Sequence, residues 1–94
     1  MAYTKKSDWT DARYKHALSL NGYGDQFEAL DVIEKAIREF GVKWNFLVCK
    51  AVINEVLEKD WKADFEKAKE IADKENEGYD FEQFVKKYGP LSKL

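Results

Sequence analysis

Cysteine occurs once in this chain, at Cys49, so no internal disulfide can form and no cysteine-based zinc cage is available. Histidine is as scarce. His16 is the one residue whose ordinary pKa lies near neutrality, and no cysteine or activating partner stands near it in sequence. The single proline and five glycines leave little room for linkers or low-complexity stretches, and no internal repeat is visible. Long apolar runs are missing too: the longest, Phe46-Leu47-Val48-Cys49, is far too short for a bilayer, and no charged region followed by an apolar one opens the chain. A soluble cytoplasmic protein without a membrane span is expected.

Several chemistries fall with these absences. Gly22-Tyr23-Gly24 is too short for a phosphate-binding fingerprint and follows no strand. Asp73, Glu75 and Glu77 alternate faintly like a calcium loop but lack its central glycine and closing glutamate. Carboxylates are abundant, yet lysines are interspersed among them, which describes a solvated charged surface better than a catalytic pair. Cys49 sits in apolar sequence with nothing to lower its pKa, so an inert buried thiol is expected. The reading is of a protein that is not an enzyme and holds no metal or cofactor.

What is present is apolar content of 45% over 94 residues, enough for one core and one domain, residues 1–94, without staples. Residues 42–57, VKWNFLVCKAVINEVL, are the most apolar stretch. Alternation fails there at Lys50, whereas Lys50, Asn54 and Glu58 step by four and leave one narrow polar stripe on an apolar cylinder. A mostly buried helix follows, and the rest of the chain is expected to wrap it.

Around that centre the pattern predicts an all-α domain of four or five helices. Residues 1–6 have no periodicity and read as a frayed arm. Ser7 or Asp8 is placed to cap a first helix whose inner stripe is Trp9, Ala12, His16 and Leu20, with Ala17, and which stops at Asn21-Gly22-Tyr23-Gly24. Asp25 and Glu28 form a capping-box variant before a second helix with Phe27, Leu30, Ile33, Ile37 and Phe40 along one face, flanked by Ala29 and Ala36 and ended by Gly41.

No glycine or proline lies between Gly41 and Gly78. Ile53, Leu57, Trp61, Phe65, Ala68 and Ala72 stay in phase, and Glu55–Lys59, Glu58–Lys62 and Glu70–Lys74 are acid-before-base pairs at i,i+4. That favours one rod over residues 44–76, roughly 50 Å long at 1.5 Å per residue. Such a rod would project from a monomer and invite a homodimer. The competing arrangement breaks at Lys59-Asp60, with Asp60 capping a helix whose Trp61, Phe65, Ala68 and Ala72 face folds back. A last helix is capped by Asp80 with Gln83, buries Phe81, Phe84, Val85 and Tyr88, and ends at Gly89-Pro90; Leu91 and Leu94 tuck back or fray.

Charge divides along the chain: between Glu55 and Glu82 eleven acids face five lysines, a net −6, while both ends are mildly basic. A helix–Gly41–helix order resembles a helix-turn-helix, but the second helix would open Trp44-Asn45-Phe46-Leu47-Val48-Cys49, which offers almost nothing to base edges. Nucleic-acid binding through the N-terminal arm and Lys86-Lys87 is the lesser alternative.

Binding to a larger protein partner is the leading expectation, because aromatics at 15% exceed what one small core readily hides. The expected anchors are Tyr23, Trp61 and Tyr79, with Asp64, Glu66, Glu70, Asp73 and Glu77 as the acidic surface between them. Such a surface suits a regulator, adaptor or inhibitor that occludes or bridges a basic groove. Size alone suggests a viral or mobile-element origin.

Overall fold

The computed structural model describes residues 6–89, with side chains from Asp11 onward. Five helices follow in order: α1 (Lys6–Gly22), α2 (Gln26–Phe40), α3 (Trp44–Val56), α4 (Lys62–Lys74) and α5 (Gly78–Tyr88), with no strand among the described residues. The expected all-α architecture is therefore the one observed. α3 packs against all four of the others. The Cα radius of gyration, 12.7 Å, matches the roughly 12 Å expected of a compact chain this long.

A helix that is apolar nearly all round needs neighbours on both sides, and α3 has them. Trp44, Leu47, Val48 and Ala51 pack on Trp61, Phe65, Ala68 and Ala72 of the α4 segment and on Phe81 of α5. From the opposite side Phe46, Cys49 and Ile53 pack on Tyr14 and Ala17 of α1 and on Ala29, Ile33 and Ala36 of α2. Phe46, Ile33, Ile53 and Val48 are wholly enclosed. Each such side chain contributes about 1.5–3 kcal/mol by leaving water, which outweighs the weak helix propensity of Val48 and Ile53.

A chain of aromatic rings ties α5 to the rest. Phe84 meets Tyr14 at 5.1 Å and Trp44 at 5.4 Å between centroids, both edge-on. Phe81 meets Trp44 at 5.7 Å and Phe65 at 5.5 Å. The Trp44 indole Nε1–H donates to Glu77 Oε1 at 2.6 Å, fastening the start of α3 to the start of α5.

The continuous rod does not exist: the chain turns back after Val56. Leu57 closes α3, Glu58 takes the left-handed conformation at φ 60°, and two bonds seal the end, Lys59 N–H to Asn54 O at 2.9 Å and Glu58 N–H to Glu55 O at 3.0 Å. This six-to-one and five-to-two pattern is the Schellman motif. Asn76 (φ 58°) closes α4 in the same way and Gly24 (φ 92°) closes α1. Asp60 contributes as the broken arrangement predicts, its Oδ1 accepting from Lys62 N–H at 3.2 Å, although Trp61 occupies the cap position itself. Glu58 and Lys62 thus lie on opposite sides of a turn, and their i,i+4 relation is gone.

Smaller expectations also shift. α1 opens at Lys6, so Ser7 and Asp8 lie inside it rather than capping it; the rest of the expected arm, like Leu91 and Leu94, lies outside the described residues. Among its described side chains Tyr14 and Ala17 are buried and Leu20 is half-buried, while Ala12 and His16 are exposed; Trp9 of the expected stripe lies outside the described side chains. Asp25 makes no side-chain cap bond; Gln26 Nε2 instead donates to Asn21 O (2.9 Å) and Asn21 Oδ1 (3.1 Å), binding the α1–α2 turn. α5 begins at Gly78, two residues before the expected Asp80 cap. Phe27, assigned to the inner face of α2, is 73% exposed.

Candidate functional site

Trp61 is buried: its indole meets the Phe65 ring at 6.0 Å and belongs to the α3–α4 core, so it is no partner anchor. The acidic phase that exposes its neighbours is the one that turns it inward. Glu77 is half-buried and already accepts the Trp44 bond. Asp64 is half-buried in the first turn of α4.

Glu66, Glu70 and Asp73 are exposed at i, i+4 and i+7, one ridge along α4 with steps of about 4.5–6 Å. Among the described residues none of the three has a side-chain hydrogen bond or ion pair. Ion pairs occur elsewhere, as Arg13–Glu39 at 3.0 Å, Asp31–Lys35 at 3.2 Å and Glu34–Lys50 at 3.7 Å.

Tyr23 and Tyr79 are 83% and 74% exposed, as the sequence leads one to expect, but they do not share a surface. Tyr79 follows Glu77, which Trp44 holds at the first turn of α3. Tyr23 precedes Phe27, whose ring lies 5.8 Å from Lys59 Nζ, just past the last turn of α3. The predicted residues therefore divide into an α4 ridge ending near Tyr79 and, apart from it, Tyr23 on the α1–α2 turn, a turn that leads into the exposed Phe27 and its neighbour Lys59. Phe27 is the exposed residue that sequence periodicity hid, because its spacing fits the inner stripe.

The reactive candidates are placed differently. Cys49 is fully enclosed, and burial pushes its thiol well above the usual range, against forming the thiolate that reacts. Tyr14 is pushed up to about 12, first by burial and then by the neighbouring Asp11 carboxylate. Among the described residues no group of three or more His, Cys, Asp or Glu side chains is placed to hold a metal ion, and no helix is long and apolar enough to cross a membrane. Lys86 and Lys87 are exposed on the last turn of α5, Lys87 Nζ lying 5.2 Å from its neighbour's ring at Tyr88, while the basic N-terminal arm falls outside the described residues. No protein-family model, curated protein or solved structure matches this chain.

Proposed function

We propose that this chain is a small non-catalytic protein that binds a larger protein in the cytoplasm and regulates it by occluding or bridging a basic groove. The observation that carries this reading is the unpaired carboxylate ridge Glu66, Glu70 and Asp73, which runs along α4 toward the exposed ring of Tyr79. Three carboxylates repeating at helical spacing present negative charge at fixed intervals on a rigid element. A Lys- or Arg-lined groove is the complementary surface, and such complementarity chiefly raises the rate of association and its specificity. An exposed tyrosine at the end of the ridge adds contact area at low entropic cost. The reading needs no cofactor, and a lone free thiol suits a reducing compartment.

Affinity capture on the immobilised protein, with identification of what is retained, tests it when run beside two variants. The triple reversal Glu66→Lys/Glu70→Lys/Asp73→Lys abolishes retention of the partner, and Tyr79→Ala weakens it. Retention unchanged by both variants refutes the ridge as the binding surface. Trp61→Ala is uninformative here, because it opens the core.

A further inference from the structure

We propose that the face carrying Phe27 and Lys59, next to the turn that displays Tyr23, is a second docking surface, which receives a cationic side chain, arginine or lysine, from a segment of a partner protein. It lies at the other end of α3 from Tyr79 and does not rest on the α4 ridge.

Phe27 sits in the first turn of α2 with 73% of its surface exposed, and Tyr23, four residues earlier, is 83% exposed. Val56, in the last turn of α3 and three residues before Lys59, is 47% exposed. Lys59 Nζ, 5.8 Å from the Phe27 ring centroid, brings the stretch that follows α3 against the start of α2, and large exposed apolar side chains at such a junction mark contact surfaces more often than scattered single ones do. The turn displaying Tyr23 is held firmly, by Gly24 N–H to Asn21 O (3.1 Å), Asp25 N–H to Leu20 O (2.9 Å) and the paired Gln26 bonds to Asn21. A ring presented on a fixed turn loses little freedom when it binds.

The chemistry of the occupant is indicated by charge and by Lys59. Residues 23–28 and 56–60 carry Asp25, Glu28, Glu58 and Asp60 against the single Lys59, a net −3, and all five are exposed. Carboxylates on the two stretches that meet at Phe27 and Lys59 favour a cation, as does the ring itself, whose negative face attracts one that lies within about 6 Å. Lys59 Nζ already stands 5.8 Å from the Phe27 ring centroid. The chain's own ammonium thus marks the ring face as a cation site and competes with any incoming arginine or lysine for it.

That competition provides the test. The 15N-labelled protein is titrated with a ten-residue peptide of alternating arginine and leucine, and separately with its glutamate–leucine counterpart. The proposal predicts saturable amide shifts at Tyr23, Gly24, Phe27 and Lys59 with the arginine peptide alone. Phe27→Ala weakens binding by about tenfold. Lys59→Met removes a like charge about 6 Å from the incoming cation and strengthens binding by about threefold. Both residues are exposed, so the variants keep the core, and their own spectra verify the fold. The proposal is overturned if no saturable shift appears, if shifts centre on α4, if the glutamate peptide binds equally, or if Lys59→Met weakens binding. It is equally overturned if the same amides shift with protein concentration alone, which would make the occupant a second copy of the chain.

Discussion

Glu58→Gly separates the observed turn from the rod by the sign of its effect. A residue bearing a Cβ in the left-handed conformation is disfavoured by about 1–2 kcal/mol, and Glu58 adopts it at φ 60°. Glycine removes that strain but gives the unfolded chain about 0.5–1 kcal/mol of extra freedom. The net expectation is a gain of about 0–1.5 kcal/mol, centred near 0.7 kcal/mol, which corresponds to roughly 3–6 °C in Tm for a domain this small. In an unbroken helix the same substitution would cost about 1 kcal/mol. Glu58 is exposed, so no packing is lost with its side chain. Glu58→Gln removes the same charge while keeping the backbone preference, and so isolates the conformational part. Urea unfolding followed by circular dichroism at 222 nm measures both variants, with an unchanged m-value as the check that only stability has moved. A midpoint that falls for Glu58→Gly relative to Glu58→Gln would refute the Schellman ending of α3.

Three further outcomes follow from single contacts. Gly89→Ala places a Cβ 2.5 Å from Val85 O and 2.7 Å from Val85 Cγ1, so urea unfolding is expected to show a loss of about 1–3 kcal/mol as the end of α5 shifts. Trp44→Phe removes the donor to Glu77 and lowers stability by about 1.5–3 kcal/mol for the hydrogen bond alone, and a double-mutant cycle with Glu77→Ala shows a coupling that independent sites would lack. Tyr14 has its folded pKa pushed from 10 up to about 12, so its contribution is intact below pH 10 and is lost as pH rises toward 12, because the unfolded chain gives up the phenolic proton first. Tyr14→Phe is therefore expected to flatten the fall in stability between pH 10 and 12, and an unchanged slope counts against the enclosed hydroxyl.

Much of the fold was legible because periodicity and stop signals reported the same thing. Gly41 ends α2 at φ 93°, and the polar stripe on α3 foretold its burial among four neighbours. The turn at Glu58 was signalled only by Asp60 as a cap for the competing break and is otherwise hidden, since glutamate is an ordinary helix former and its left-handed conformation is held by backbone bonds from Lys59 and Glu58. That one hidden turn also reversed Trp61, which looks exposed on a rod and is enclosed once α4 folds back. The homodimer argument loses its basis with the rod. Tyr14 was missed because the stripe read for α1, through Ala12 and His16, lies on a face that is exposed, and its ring is buried through contacts with Phe84 and Tyr88 from the far end of the chain. Of the candidate site, the exposure of Tyr23 and Tyr79 was readable from their glycine neighbours. Their separation to opposite ends of α3 was not, and neither was Phe27, whose solvent-facing ring became evident only from its pairing with Lys59.

Central to the fold, α3 is enclosed by a chain that doubles back, which uses Trp61 inside and leaves the α4 ridge, Tyr23, Phe27 and Tyr79 outside. Intramolecular aromatic nuclear Overhauser contacts test this most directly. Cross-peaks are predicted between Trp44 and Phe81 and between Phe65 and Phe81, whose ring centroids lie 5.7 and 5.5 Å apart. Absence of both, with uninterrupted helical amide contacts across residues 56–62, would contradict it.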